Sequence, residues 1–193
     1  GAGVVSEAGW LAKTDFSRRS FDYFKRVLES QSEEDFGVFD GSLPAESGVY
    51  YSDEEEDIDG WNIPAGRRLV ILVENEEGIV INDDITDNAN DGSSLVVITS
   101  GAIDIKGSVA NVHGIFIADG NIIIRKESTG ELQFFGEGSF IANKIVLRRG
   151  SQGELINETK PIESFYYRPD LIFNTLPELW TAPYTWEELP PAD

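Results

Sequence analysis

Hydrophobic and polar positions alternate in four short stretches punctuated by glycine: Leu72–Asn82, Val97–Ile105, Gly114–Arg125 and Gly138–Arg148. Each reads as strand, small turn, strand. Ile103 and Ile105 share one face with Asp104 between them, and Ile122 and Ile124 repeat this with Ile123 turned the other way, which is the two-residue period of a strand. Units this small cannot bury their own apolar faces, so they stack on neighbours and share one core. The turn glycines Gly78, Gly101 and Gly120 recur at 23 and 19 residues, and Phe116-Ile117-Ala118 returns 24 residues later as Phe140-Ile141-Ala142. Roughly twenty residues per unit suits one coil of a β-helix, with longer coils bulging out as loops such as Asp83–Gly92. The expected fold is all-β, a short parallel β-helix or β-solenoid. An antiparallel β-sandwich of the same strands is the alternative, because alternation does not reveal strand direction.

The segments flanking the coils read differently. In residues 1–60, Phe21, Phe24, Val27 and Leu28 fall at helical spacing, predicting an amphipathic helix over 17–29 capped by Asp15 or Ser17. Its expected role is to cover an open end of the apolar column. The acidic stretch after it reads as a loop, with Gly48–Ser52 as a short strand. The β-helix is expected over 61–150, with Arg67–Val73 as its first well-buried strand. Asn111, Asn121 and Asn143 sit at turns, where they are expected to stack as a ladder. The tail, 151–193, is too aromatic for a disordered linker, while its prolines exclude a long helix or central strand. It is expected to run extended along the flank, inserting Phe165, Trp180 and Trp186.

Charge narrows the classes of partner. The 193 residues carry 15 Lys and Arg against 35 Asp and Glu, a formal net charge of -20. That repels phosphate backbones and anionic membranes, so nucleic acid is excluded as a partner. With no cysteine, neither disulfides nor thiolate metal sites contribute. No window approaches the ~18 apolar residues of a membrane span, and the first residues have neither an initiator Met nor a leader pattern. The expectation is a processed or excised chain whose membrane contact would come only through parts absent from it.

Two acidic stretches offer the six to eight oxygens that calcium takes. One is Asp53, Asp57 and Asp59 with the glutamates between them; the other is Asp83, Asp84, Asp87 and Asp91 with Asn88 and Asn90. Neither matches an EF-hand or a glycine-rich calcium repeat, and a solvated acidic loop is the competing reading of both. The lone histidine, His113, reads as a corner residue bonded to backbone, and Asp119 beside Gly120 as a turn former. A glycan-cleaving enzyme would need paired carboxylates, for which the coils supply Asp104, Asp119 and Glu131, with Arg125 and Arg148 as coil-associated arginines. Tyr50, Tyr51, Trp61, Tyr166, Tyr167 and Trp180 are candidates for stacking on a glycan. No nucleotide-binding glycine motif occurs, and no catalytic residue is assigned.

Leu69–Val73, Ser94–Ile98 with Gly101, Val112–Gly120, Gly138–Ala142 and Tyr167–Ile172 resemble a family of bacterial cell-envelope proteins frequent in the candidate phyla. More distantly the coils are similar to the bactofilins, polymer-forming β-helices. The resemblance implies a right-handed β-helix, secreted or at the cell surface. Its implied role is structural or surface display, acting in assembly or adhesion with other envelope or filament subunits or with surface glycan. The variants within that class are a calcium- or glycan-binding adhesin tip, and the rival from another class is a polysaccharide lyase or glycoside hydrolase.

Overall fold

The computed structural model describes residues 20–31, 35–87, 91–126, 132–149, 161–176 and 179. Its strands are β1 (Gly37–Val38), β2 (Gly48–Ser52), β3 (Glu56–Ile58), β4 (Trp61–Asn62), β5 (Arg68–Val73), β6 (Gly78–Ile81), β7 (Ile85–Thr86), β8 (Ser94–Thr99), β9 (Ala102–Ile105), β10 (Asn111–Ile124), β11 (Phe134–Leu147) and β12 (Glu163–Tyr166). Among the described residues two helices, α1 (Phe21–Gln31) and α2 (Asp170–Asn174), flank them. Every strand pair is parallel. The chain is a β-solenoid of about four turns, and the antiparallel sandwich is excluded.

Each coil has three faces. The first stacks β2, β5, β8 and the middle of β10 and β11, in the register Tyr50, Ile71, Val97, Phe116, Phe140. The second stacks β3, β6, β9 and the ends of β10 and β11, as Ile58, Ile81, Ile105, Ile124, Leu147. The third joins β4, β7, the start of β10 and β11, and β12. The inward ladders are aliphatic or aromatic at successive levels because each layer seals the next from water. A fully buried side chain of this kind contributes about 1.5–3 kcal/mol. The repeat of Phe116-Ile117-Ala118 at Phe140-Ile141-Ala142 is this stacking, residue on residue.

The apolar runs also show which face is covered on both sides. On the first face β8 is buried at all six positions and β5 at all but Arg68, the signature of a strand between two apolar layers. The outer layer is α1, whose Phe21, Phe24 and Leu28 pack with Val70, Leu72, Val96, Ile98, Ile115 and Ile117, together with Leu171 and Leu179. On the second face β3 and β9 alternate between buried and solvent-facing positions.

Three expectations change here. The helix lies along the flank and not over an end: its apolar stripe packs on the outward Val70, Leu72, Val96, Ile98, Ile115 and Ile117 of three coils. The first coil opens at Gly48, within the stretch read as helix and acidic loop; Glu56–Ile58 of that acidic run is itself strand, with Glu56 and Ile58 buried. The asparagine ladder does not form: Asn121 pairs with Lys144 and Asn111 with Phe135, the register shifting at the Asp119–Gly120 corner. Phe165 packs against Phe134 and Phe140 at the last rung, while Trp180 and Trp186 lie outside the described residues. Glu163–Tyr166 adds a partial further rung beyond Phe134–Glu137.

Corner glycines are imposed by close stacking. At Gly78 (φ 85°) a Cβ would meet the Ala102 carbonyl oxygen at 2.0 Å, and at Gly138 (φ 134°) it would meet the Gly114 carbonyl oxygen at 1.9 Å. Only a residue without a side chain fits under the next coil there. Among the described residues no helix is long and apolar enough to cross a membrane.

Candidate functional site

Among the described residues a group of ionisable side chains sits where the third face meets the C-terminal segment. Asp87 follows β7, His113 and Glu137 lie at equivalent positions of β10 and β11, and Arg168 arrives from the turn between β12 and α2. The Asp87 and Arg168 side chains are 3% and 7% exposed. Arg168 Nη1 donates to Asp87 Oδ1 at 2.6 Å, while its Nε and Nη2 donate to the two oxygens of Asp170 at 3.1 and 2.6 Å. His113 Nδ1 lies 2.9 Å from Asp87 Oδ1, and Nε2 lies 3.8 Å from Glu137 Oε2. The same Nδ1 also meets the Asp87 amide N–H, at 3.2 Å, so it either donates to the carboxylate or accepts from the amide according to the imidazole's tautomer. Asp87 also accepts from Ser93 Oγ at 3.4 Å.

Electrostatics here favours the charged states. Burial works to raise the Asp87 carboxyl, but hydrogen bonds from His113 and Arg168 and the guanidinium charge override it, leaving it below the usual carboxylate range. Asp170 is lowered by its hydrogen bonds from Arg168. Arg168 is raised by those to Asp170, against burial and with the help of Asp87. A buried guanidinium held by two carboxylates is a clasp: it ties the 161–176 segment to the coil that carries Asp87. Ser93 faces Asp87 and Asp91 rather than His113, so no nucleophile–base pair forms.

The residues proposed for calcium are placed as follows. Asp83 Oδ1 accepts from the Asp84 amide. Asp84 Oδ1 accepts from the amides of Ala110 and Asn111, and Oδ2 from Asn111 Nδ2, fastening one coil to the next. Asp87 belongs to the clasp. Asp91 Oδ1 accepts from the Ser93 amide and hydroxyl, and its Oδ2 is buried without a partner. Asp57 and Asp59 share the Asn82 amide, each at about 3 Å, and the Asp53 carbonyl accepts from Asn75 Nδ2. Among the described residues no group of three or more acidic or histidine side chains is arranged to hold a metal ion.

The carboxylates considered for glycan cleavage also have structural tasks. Asp104 is bridged by Arg125, with Nε and Nη2 at 2.6–2.8 Å. Asp119 Oδ2 accepts from the Phe21 amide at 3.0 Å, at the first turn of α1. Glu131 lies outside the described residues, as do Asn88, Asn90 and the proposed caps Asp15 and Ser17. His113, read as a backbone-bonded corner residue, does meet the Asp87 amide, at 3.2 Å, but its closer contact is the Asp87 carboxylate. Arg168, Glu137 and Asp170 had no role in the sequence reading. The signal that could have found Arg168 is an arginine in an apolar-aromatic segment of a strongly acidic chain, since a cation there needs carboxylates to be buried.

Around the first coil the acidic stretch forms an open cleft of about 540 Å³, lined by Asp40, Glu55, Glu56, Asp57, Asp59 and Trp61 among others. Burial raises Glu56, partly offset by the Ser52 hydroxyl at 2.5 Å. Glu55 is raised by the neighbouring Glu77, the sign of uncompensated negative charge. Of the aromatic candidates for glycan, Trp61 is buried edge-on against Phe39, and Tyr50 and Tyr51 are half-buried and hydrogen-bonded. Tyr166 and Tyr167 are exposed, as are Phe165 and Phe173. Trp180 lies outside the described residues. No protein-family model matches this chain, and comparison with curated proteins and with solved structures likewise gives no match.

Proposed function

We propose that the chain is a non-catalytic structural or surface-display module of a bacterial cell envelope, secreted or held at the surface, acting in assembly or adhesion. The observation that carries this reading is where the polar chemistry goes. Asp84 staples adjacent coils, Asp119 meets the amide at the start of α1, Asp104 holds Arg125, and Asp87 holds Arg168. Each of these four carboxylates is committed to holding the solenoid together. What the solenoid then offers is stiffness, a high negative charge and two chemically different ends. The envelope location rests on the resemblance of the coil segments.

The glycan-binding variant is favoured by one feature, the exposed Tyr166 and Tyr167 beside the last rung, because aromatic faces stack on sugar rings.

Two assays test the reading together. Fractionating bacteria that produce the full protein is expected to place it with the envelope. Incubating the purified chain with acidic and neutral polysaccharides is expected to release neither reducing ends nor unsaturated products. Turnover that is lost in Asp87→Asn or Asp104→Asn would overturn the proposal in favour of an enzyme.

A further inference from the structure

Asp87, His113 and Glu137 stand on three successive coils, one after β7, one in β10 and one in β11, with the imidazole between the two carboxylates. His113 is the only histidine of the chain. The oxygens it faces are the ones Arg168 uses. Asp87 Oδ1 is 2.9 Å from His113 Nδ1 and 2.6 Å from Arg168 Nη1, and Glu137 Oε2 is 3.8 Å from His113 Nε2 and 3.9 Å from the same Nη1. A ring nitrogen and a guanidinium nitrogen thus meet at each of two oxygens.

The state of the ring decides how these oxygens are shared. A neutral imidazole with its proton on Nε2 accepts from the Asp87 amide at Nδ1, at 3.2 Å, and leaves Asp87 Oδ1 to Arg168. An imidazolium has no lone pair, so Nδ1 gives up the amide and donates to Oδ1 beside the guanidinium. Two positive charges then stand at one oxygen, their nitrogens at most about 5.5 Å apart by the two distances above, and in a mostly buried site their repulsion exceeds that in water severalfold. Of the other charged groups around the ring, Glu137 attracts both cations, Asp170 is held at the Nε and Nη2 edge of Arg168, away from Nη1, and Asp91 reaches the cluster through Ser93. Closure of the segment over the ring acts in the same sense, since burial disfavours the charged form.

Arg168 is one of few fixings of its segment. Of residues 161–176, Ile162, Arg168, Leu171 and Thr175 alone are buried. Leu171 packs in one apolar layer with Phe21, Phe24 and Leu28 of α1, and Ser94 Oγ donates to the Asn174 carbonyl. A strap held at so few points opens locally at less cost than the coils it lies on. We propose that His113 is a proton-operated release for this strap: protonation sets the ring against Arg168 for the same carboxylate oxygens and loosens residues 161–176 from the coils, while the neutral ring lets them close. The inference goes beyond the envelope reading and does not depend on it. The release acts at the mildly acidic pH where histidine takes up a proton. Burial raises Asp87 and its hydrogen bonds from His113 and Arg168 lower it by more, so that carboxylate is still ionised there.

Hydrogen exchange followed by NMR on the full chain, between ~pH 8 and ~pH 5.5, tests this directly. Protection of the amides in 163–175, taken relative to those of β8 in the same sample, is expected to fall about tenfold on acidification. The fall is expected in step with the titration of the single imidazole, and to reverse when the pH is raised. A histidine with a merely structural role would change protection equally at every pH, so His113→Gln separates the two. That variant is expected to keep its strap protected at both ends of the range. Should His113→Gln fail to fold, the Arg168 Nε–H signal of the wild type takes its place, and is expected to shift in the same step as the ring. Strap protection in the wild type that stays level or rises on acidification overturns the inference. So does an equal fall in His113→Gln, or an Arg168 signal indifferent to the titration of the ring.

Discussion

Ile122 and Ile145 hold the same position on neighbouring rungs of one ladder, yet one is wholly buried and the other 40% exposed. The local sequences are alike, Ile-Ile-Ile-Arg against Ile-Val-Leu-Arg. What differs is the neighbour: Ile122 lies between Ile103 and Ile145, while Ile145 has Ile122 on one side only among the described residues. Burial in a solenoid is thus a property of position in the stack, and stability is close to a sum of rung-to-rung contacts. The ladders of the middle coils are sealed from water, while the last rung leaves Ile145 and Leu147 partly exposed. Charge differs too: Asp84 and Asp104 are paired across rungs with Asn111 and Arg125, whereas Glu55 of the first coil is raised by the neighbouring Glu77.

The comparison can be tested by truncation, from the interior outward. Phe116→Ala removes a fully buried ring that stacks on Phe140 at 5.3 Å between centroids. Chemical denaturation should show a loss of about 3–5 kcal/mol, and a loss near zero would mean that the column is not packed as described.

Arg168→Ala should cost about 3 kcal/mol, because Asp87 is left buried with only His113 and Ser93. Its pH dependence has a definite sign. The folded Asp87 carboxyl lies below its unfolded value of about 3.9, so its contribution is complete above that value and is lost as pH falls through the folded one. Asp170 acts in the same sense. The stability gap between wild type and Arg168→Ala should be full at neutral pH and close progressively below about pH 4. A gap that widens on acidification would rule out the clasp. Limited proteolysis should also detach 161–176 sooner in the variant.

Asp119→Ala, which removes the acceptor for the Phe21 amide, should cost about 1 kcal/mol and loosen α1 before the coils, as read by hydrogen exchange in residues 21–31. Smallest of all is the response to calcium. At about 1 mM, the weak end of biological calcium sites, the melting temperature should not move. A rise abolished by Asp87→Asn or Asp91→Asn would restore the second acidic stretch as a metal site.

The parallel stack could be read from residues because its signals are local. The inward isoleucines of β9 and β10, the recurring Phe-Ile-Ala and the corner glycines each follow from what a coil must do to sit on its neighbour. The unbroken apolar runs of β5 and β8 also carried a readable message, that a second layer covers the first face. What they could not say is which segment supplies it, so α1 was expected over an end. The clasp was less legible, because Asp87, His113, Glu137 and Arg168 come from separate coils and meet only once coil lengths are known. Those lengths vary with corners such as Asp119–Gly120, where β10 carries a residue more than β11. That single insertion also displaces Asn121 from Asn143, at the corner where Asp119 accepts from the Phe21 amide at the start of α1.

The claim on which the rest depends is that burial is set by stacking, rung upon rung. Ile122→Ala and Ile145→Ala, compared by urea denaturation at a protein concentration below any self-association, test it most directly. The expected losses are about 3 kcal/mol for Ile122→Ala and about 1 kcal/mol or less for Ile145→Ala. Equal losses at the two positions would contradict the account.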